Sequence, residues 1–242
     1  MATNSYLAIF FLLLLFVSSA YAEDFSSDPS KELPQPISGI HIVPDSELVT
    51  TKSMKQEEIL NLKQQKEKGY IAFDSTYPRE LLNTKYRALS EIKANKDNKD
   101  PGDTHLKEKI SEIKLAFQYN GIPFIKTTNI IGFAAIGGYI DNGWTGVKEF
   151  FNDTRLGTCT LSLYNIGVSH GGVKLGKSTV TYVVNSKPTT INVEGSINSG
   201  FMYRVSWFDN TFIHDLECAN MNFDKEITTT MIDYARLIDK SL

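Results

Sequence analysis

The sequence predicts an α+β fold, with an N-terminal helical hairpin, an antiparallel sheet of about five strands and a C-terminal helix packed on that sheet. Three observations lead to this prediction. Apolar residues recur with a helical period over residues 78–119, alternate with a period of two over residues 158–219, and resume the helical period after residue 224. Helices and strands that are grouped in separate parts of a chain are typical of α+β domains.

The first 22 residues have the pattern of a secretory signal. Residues 7–17 are an unbroken apolar run of 11, too short to span a bilayer, and residues 20–22 (Ala-Tyr-Ala) follow the small-x-small cleavage pattern. We therefore expect a mature chain of 220 residues (242 − 22) that begins at Glu23 and works in the periplasm or outside the cell. Because residues 1–6 contain no Lys or Arg, an uncleaved N-terminal anchor is the alternative.

Residues 23–51 are rich in Ser, Pro, Asp and Glu and lack an apolar period, so we expect a flexible leader. An apolar island at residues 37–43 is the piece of this leader that could dock on the domain. Residues 52–242 are expected to form a single α+β domain. Its parts are a helical part at 52–121, a β-rich part at 122–221 and a C-terminal helix at 222–242.

Two or three helices are predicted in the helical part. Residues 54–68 are good helix formers with few apolar positions, so the first helix should be mostly exposed. The second helix begins at Pro78 and ends before the polar turn at 95–102, and the third spans 104–119. The apolar faces of the second and third helices are formed by Leu81, Leu82, Tyr86, Leu89 and Ile92, and by Leu106, Ile110, Ile113 and Phe117. Because a short loop joins these two helices, we expect them to pack as an antiparallel hairpin.

The most apolar segment of the mature chain is residues 130–140, which include three glycines and two alanines. We predict a buried strand or a close-packed turn there, because this composition is poor for a helix. The alternative is a membrane-active segment that inserts at the bilayer surface, since 11 residues cannot span it as a helix. The pattern of residues 144–152 is too short to separate a helix from an edge strand. Asn152 begins an N-x-T sequon, which is a glycosylation site if the protein is eukaryotic.

Two cysteines, Cys159 and Cys218, bracket the part of the chain with the clearest strand patterns. In an exported protein we expect them to form a disulfide, which closes a loop of about 60 residues and stabilises the fold by up to ~4 kcal/mol. The alternative is two buried free thiols. The strands predicted in this part of the chain are 158–165, 178–184, 189–194, 200–208 and 211–219.

The last two of these strands are expected to form a hairpin across a two-residue turn at 209–210. That turn sets the register of the hairpin. Trp207 opposes Phe212 on an apolar face, and Arg204 opposes Asp215 on the other face. The hairpin therefore has one face that should be buried and one that carries a pair of opposite charges.

None of the four histidines is spaced as in a metal-binding motif, so we expect no metal and no cofactor. His214 falls on the apolar face of the predicted hairpin, and we interpret it as a core histidine. The candidate binding loop is the Gly-rich segment Ser169, His170, Gly171 and Gly172, because functional residues are often placed on loops. The alternative for this segment is a mobile connection between strands.

Nucleotides and nucleic acids are poor candidates for the ligand. Residues 171–178 match the phosphate-loop string G-x-x-x-x-G-K-S, but a strand-forming run follows where the motif requires a helix, so we interpret the match as chance. The net charge is −3, and no basic excess is present to attract nucleic acid.

The sequence favours an exported, non-enzymatic binding or interaction protein, because it carries an export signal and lacks a catalytic motif. The expected partner is a protein or a component of the cell envelope, and the sequence does not identify it. One alternative is a secreted hydrolase that uses the Gly-rich loop around His170. The other is a membrane-active protein that uses residues 130–140.

Overall fold

The computed structural model describes residues 37–48, 51–96, 100, 102–126 and 129–242, and these residues are organised around an eight-stranded mixed sheet. Its strands are β2 (Ile71–Ala72), β3 (Ile130–Ile140), β4 (Gly143–Asp153), β5 (Gly157–Asn165), β7 (Tyr182–Val184), β8 (Lys187–Ser196), β9 (Gly200–Phe208) and β10 (Phe212–Asn220). The strand order is β2–β8–β9–β10–β5–β4–β3, and β7 pairs with β8. The pair β2–β8 is parallel, and the others are antiparallel.

A second, two-stranded sheet and four α-helices complete the described part of the chain. The small sheet pairs β1 (Gly39–Val43) with β6 (Gly172–Gly176) in parallel. The helices are α1 (Lys52–Lys68), α2 (Tyr77–Leu82), α3 (Thr84–Ala94) and α4 (Lys225–Ser241), and single 3-10 turns lie at Asp45–Glu47 and Ile110–Glu112. No helix among the described residues is long and apolar enough to cross a membrane.

The predicted fold class is wrong in two respects. The main sheet has eight strands and is mixed, whereas about five antiparallel strands were predicted from the period-two segments. The predicted helical hairpin is also absent, because residues 104–119 form an irregular segment with one 3-10 turn and two isolated β-bridges in place of the third helix. The structure is therefore sheet-rich.

Backbone pairing with the sheet explains why residues 104–119 are not helical. Lys107 exchanges both backbone hydrogen bonds with Phe133 of β3, at 2.7 and 2.9 Å. Further along, the amide of Ala116 donates to the carbonyl of Trp144 (2.9 Å), and the Trp144 amide donates to the carbonyl of Lys114 (2.8 Å). These long-range bonds satisfy backbone groups that a helix would have satisfied locally, so tertiary context overrides the helical spacing of the apolar residues.

One face of the main sheet forms the hydrophobic core with α4. Alternate residues of the strands point to this face, and α4 begins where Asp224 accepts a hydrogen bond from the amide of Glu226 at 2.9 Å. The buried core side chains of the helix are Ile227, Met231, Ile232, Ala235 and Ile238. They pack in one cluster with strand residues that include Val147, Leu161, Val205 and Leu216. Burial of each large apolar side chain contributes roughly 1.5–3 kcal/mol.

The predicted disulfide is confirmed. Cys159 on β5 and Cys218 on β10 lie directly opposite each other in the antiparallel pair, and a disulfide joins them with a Cα–Cα distance of 4.1 Å. Both side chains are fully buried in the core. The bridge therefore links two neighbouring strands in the centre of the sheet.

The β9–β10 hairpin has the predicted faces but a different register. Trp207 opposes His214, and Arg204 opposes Glu217, so each pairing is displaced by two residues from the predicted one. The cause is the turn, in which the Asp209 carboxylate accepts from the amides of Thr211 (2.8 Å) and Phe212 (2.7 Å) and lengthens the loop. A shift of two residues leaves every side chain on the same face.

The N-terminal segment is described only in part. Residues 39–43, which belong to the expected leader, form β1, and the Gly39 amide donates to the carbonyl of Gly171 at 3.0 Å. The predicted signal at residues 1–22 and the first part of the leader, residues 23–36, lie outside the described residues.

Candidate functional site

The second face of the main sheet carries a cluster of polar side chains from four neighbouring strands, which we call the polar face. It consists of Lys148 on β4, Thr160 and Ser162 on β5, Asp215 and Glu217 on β10, and Arg204 and Ser206 on β9. The strand pairings align these residues in two rows across the sheet: Thr160–Glu217–Arg204 and Lys148–Ser162–Asp215–Ser206. Strand alternation sends them all to the side opposite the core.

The two helices α2 and α3 cover the neighbouring part of the same face. Leu81 of α2 packs with Met202 and Ala219, and Ala88 of α3 packs with Leu106 and Ile131. The polar face therefore borders an apolar, helix-covered region of the same sheet.

Ion pairs and hydrogen bonds connect the charged groups of the polar face. Arg204 donates from Nε to Oε1 of Glu217 at 2.9 Å, and its Nη2 contacts the same oxygen. The same Nε lies 3.6 Å from Oδ1 of Asp215, and Lys148 Nζ lies 3.6 Å from Oε2 of Glu217. The Tyr77 hydroxyl donates to Oε2 of Glu217 at 3.1 Å. Every charged group in the cluster thus has an opposite charge within 4 Å.

The polar face is recessed but still reaches solvent. The Glu217 side chain is only 3% exposed, whereas Lys148, Asp215 and Arg204 keep 15%, 14% and 26% of their side-chain surfaces exposed. Ser162 and Ser206 are buried between them, and the Ser206 hydroxyl donates to Asp215 at 2.7 Å. The partly exposed charged side chains therefore offer hydrogen-bond donors and acceptors to solvent, and the other polar groups of the cluster are buried beneath them.

The two carboxyl groups of the polar face differ in their ionisation. Burial raises the pKa of Asp215 above its usual range, and the nearby charge of Glu217 adds to this effect. Burial also acts to raise the pKa of Glu217, but the charges of Arg204 and Lys148 outweigh it and hold that pKa at about 2. Separated carboxyl pKa values are found in acid–base catalysis and also in structural ion-pair networks.

Glu217 is held by several partners at once. Its two oxygens are engaged by two cations and by the hydroxyl of Tyr77, and the Thr160 hydroxyl lies a further 3.4 Å from Oε2. A carboxylate that is held by so many partners is a poor nucleophile or base, because reaction would require these contacts to break.

A second cluster, at the end of the core face, resembles a metal site. Ligand atoms of Asp209, His214 and Asp239 lie within 4.8 Å of one another. However, Lys187 Nζ lies 2.8 Å from Oδ2 of Asp209 and 2.5 Å from Oδ1 of Asp239, so its ammonium occupies the position of a cation. The Trp207 indole also donates to Oδ1 of Asp239 at 3.0 Å. The cluster therefore ties α4 to the β7–β8 and β9–β10 turns.

His214 is buried in the core, at the place that the sequence predicts for it. Its ring stacks on Trp207 with a centroid distance of 4.8 Å and an interplanar angle of 9°, and its Nδ1 lies 3.3 Å from the Trp207 carbonyl oxygen. Burial lowers the pKa of His214 to about 4, so the ring is neutral near pH 7. It does not share a face with the polar cluster.

The predicted binding loop connects β5 to β6. Ser169 and His170 are exposed, and the Ser169 hydroxyl donates towards the carbonyls of Ile166 (3.3 Å) and Asn165 (3.4 Å). Gly172 pairs with β1, next to the hydrogen bond that the Gly171 carbonyl accepts. The loop is thus anchored to the small sheet, at a different place in the fold from the polar face.

Two other sequence features have structural surroundings that differ from the motifs they resemble. Asn152 lies on β4 rather than in a loop, where its Oδ1 accepts from the Thr158 hydroxyl at 3.0 Å. In the phosphate-loop string, β6 is followed by a turn, and the amide and hydroxyl of Ser178 both donate to Oδ1 of Asp45, at 3.1 and 3.0 Å. A carboxylate therefore stands where a phosphate would require free donors.

Glu149, a carboxyl group in the hydrophobic core, was not predicted from the sequence to be a notable residue. Glu149 is fully buried between Phe133 and Leu161, its neighbours on β3 and β5. Its Oε2 accepts from the Tyr119 hydroxyl (2.5 Å) and the Ile122 amide (3.1 Å), but no described residue bonds to Oε1. Burial raises its pKa. The signal in the sequence is that Glu149 alternates with the polar face and so falls at a strand position where apolar residues are expected.

No protein-family model matches the chain, and neither a curated protein nor a solved structure shows significant similarity to it.

Proposed function

We propose that the protein is an exported, non-enzymatic binding protein and that its polar face holds the ligand. The observation that carries this proposal is the group of four charged side chains, Lys148, Arg204, Asp215 and Glu217, on the middle of a sheet face. Desolvating such ion pairs offsets much of their attraction, and apolar side chains of similar volume often stabilise a fold as well or better. Binding explains why charges occupy this position.

Export is supported by two features. The first 22 residues have the pattern of a secretory signal. The Cys159–Cys218 disulfide fits an oxidising compartment, the periplasm or the extracellular space, because reducing systems of the cytosol keep most thiols reduced. The expected partner is a protein or a component of the cell envelope.

The local geometry gives less support to the two alternatives. A hydrolase that used the loop at Ser169 and His170 would need a base next to the nucleophile, whereas the Ser169 hydroxyl is directed to backbone carbonyls. A membrane-active role for residues 130–140 would need most of their apolar side chains exposed, whereas Ile131, Phe133 and Ala135 are buried. The exposed large apolar residues of this strand are Tyr139 and Ile140, at its end.

Two experiments test the proposal. In the first, the full chain is expressed with its own N-terminal segment, the cells are fractionated, and the cysteines are probed by alkylation with and without reductant. The proposal predicts an exported chain without alkylatable thiols. A chain that stays in the cytosol with free thiols would contradict export.

The second experiment measures co-sedimentation of the purified chain with insoluble cell-envelope material. The test variant is Arg204→Met with Glu217→Gln, which removes the central ion pair and leaves the face uncharged at these positions. The matched control is Lys63→Met with Glu67→Gln, which removes an exposed ion pair on α1. We expect the test variant to lose binding and the control to retain it. Equal binding by both variants would contradict a role for the polar face.

A further inference from the structure

We infer that the ligand of the polar face is an uncharged oligosaccharide, an inference that rests on the proposed function. Three properties of the face lead to this class of ligand: its charges are already paired, its accessible groups include both donors and acceptors, and it extends across several strands.

The paired charges disfavour an ionic ligand. An anion that approached Arg204 or Lys148 would meet the carboxylates of Glu217 and Asp215, which lie within 4 Å of those cations. A cation that approached the carboxylates would meet the guanidinium and ammonium groups in the same way. Like charges at such distances repel strongly when water is partly excluded, so either ion would have to break the existing pairs.

A sugar hydroxyl can use the same groups without breaking the pairs. Arg204 and Lys148 offer donors, and Asp215 offers acceptor oxygens, all of them partly exposed. A hydroxyl donates one hydrogen bond and accepts others, so it can bridge a donor and an acceptor that are neighbours on the face. The ion pairs also hold these groups in fixed positions, which lowers the conformational entropy lost on binding.

The extent of the face suits a chain of sugars better than a single ring. The row Lys148–Ser162–Asp215–Ser206 continues to Thr190 on β8, and five strands at ~4.8 Å spacing span about 19 Å. Its partly exposed members, Lys148, Asp215 and Thr190, lie on alternate strands, and the buried Ser162 and Ser206 lie between them.

Isothermal titration calorimetry on the full chain tests the inference. The neutral probes are the hexamers of cellulose, amylose, xylan, laminarin and chitin, and the charged probes are oligogalacturonate and chitosan hexamer. We expect at least one neutral probe to bind, with an affinity that is nearly constant between about 0.05 and 0.5 M NaCl, because no net charge is neutralised on binding.

Three variants locate the site. The double variant Arg204→Met with Glu217→Gln should weaken binding about tenfold or more, because it removes hydrogen bonds to charged groups. Asp215→Asn keeps the shape and one acceptor oxygen but loses the charge of the carboxylate, so it should weaken binding, and by less than the double variant does. The control pair Lys63→Met with Glu67→Gln should bind as wild type does. Circular dichroism and thermal unfolding confirm that each variant is folded.

Three results would overturn the ligand class: binding of the charged probes alone, a steep salt dependence, or no binding of any neutral probe. If a neutral oligosaccharide binds to the double variant as tightly as to wild type, its binding site lies outside the polar face. The ligand class and the proposed function can fail separately. Suppose that no neutral hexamer binds, but the wild-type chain co-sediments with envelope material and the double variant does not. The ligand class is then wrong, and the proposed binding function stands. If neither the binding of a neutral hexamer nor the co-sedimentation depends on Arg204 and Glu217, both are wrong.

Discussion

Replacing Glu149 with Gln should remove a loss of stability that the wild-type protein suffers as the pH rises. Glu149 is fully buried, and no described residue hydrogen-bonds to its Oε1. Burial raises its pKa in the folded state above the value of an unfolded chain, which is close to 4.5. Folding therefore favours the protonated carboxyl. Its contribution to stability is fully present below the unfolded pKa and is lost as the pH rises through the folded pKa.

The magnitude follows from the linkage relation. Each unit by which the folded pKa exceeds the unfolded pKa costs about 1.4 kcal/mol once the pH is above both values. Gln has nearly the same shape, cannot ionise, and keeps an oxygen that accepts from Tyr119 and Ile122. We therefore expect the free energy of unfolding of Glu149→Gln, relative to wild type, to rise between about pH 4 and pH 8, by about 1.4 kcal/mol for each unit by which the folded pKa exceeds the unfolded pKa. Burial, together with the charge of Glu149, keeps the pKa of Tyr119 well above this range.

Urea denaturation followed by tryptophan fluorescence provides the assay, because Trp207 is fully buried in the fold. Taking the difference between the variant and wild type at each pH cancels the titration of all other groups. Glu149→Leu is the control for shape, since it removes the charge and leaves the donors of Tyr119 and Ile122 without their acceptor. It should be less stable than Glu149→Gln at every pH. A difference between Glu149→Gln and wild type that is the same at about pH 4 and pH 8 would refute the reasoning.

Three further changes have expected outcomes in the same denaturation assay. Replacing Cys159 and Cys218 with Ala should lower the free energy of unfolding by about 2–4 kcal/mol, and an unchanged value would contradict a stabilising bridge. Lys187→Met should destabilise the protein at neutral pH, and this loss should become smaller as the pH falls through the folded pKa of Asp209, because Lys187 helps to hold that pKa below its ordinary value. A loss that is the same at every pH would count against this pairing. Burial lowers the pKa of His214 to about 4, so the free energy of unfolding of wild type should fall by roughly 3 kcal/mol as the pH falls from 6.5 to about 4. His214→Phe should remove this loss, and the same loss in both proteins would argue against the reasoning.

The parts of the fold that could be predicted from the sequence are those with a local cause. Alternation of apolar and polar residues identified β5 and the β9–β10 hairpin, and the helical period identified α4. The pair Cys159 and Cys218 could only bond to each other within this chain. The burial of His214 followed from strand alternation alone, because a register error of two residues does not change its face.

The parts of the fold that could not be predicted depend on contacts that a local sequence pattern does not reveal. The apolar residues of 104–119 have helical spacing, but the backbone of Lys107 and Lys114 pairs with β3 and β4, which a local pattern cannot reveal. The hairpin register depended on the side chain of Asp209, whose carboxylate bonds two amides and lengthens the turn.

The polar face was also predictable only in the part that has a local cause. Strand alternation correctly predicts Arg204 and Asp215 on one face of the hairpin, although Glu217 is the residue that opposes Arg204. The contributions of Lys148 and Thr160 required the strand order β9–β10–β5–β4, which the sequence does not specify. The candidate loop at 169–172 was chosen for its composition, and composition carries no information about which side chains converge in space.

The location of the binding site is tested most directly by mapping ligand-induced chemical-shift changes in a two-dimensional NMR spectrum of the labelled chain. The ligand is the neutral oligosaccharide that binds most tightly in calorimetry or, if none binds, solubilised envelope material that co-sediments with the protein. The proposed function predicts that the largest changes fall on the Arg204 Nε–H group and on the amides around Ser206 and Asp215. Changes concentrated in the loop at 169–172, with the Arg204 signal unmoved, would contradict it.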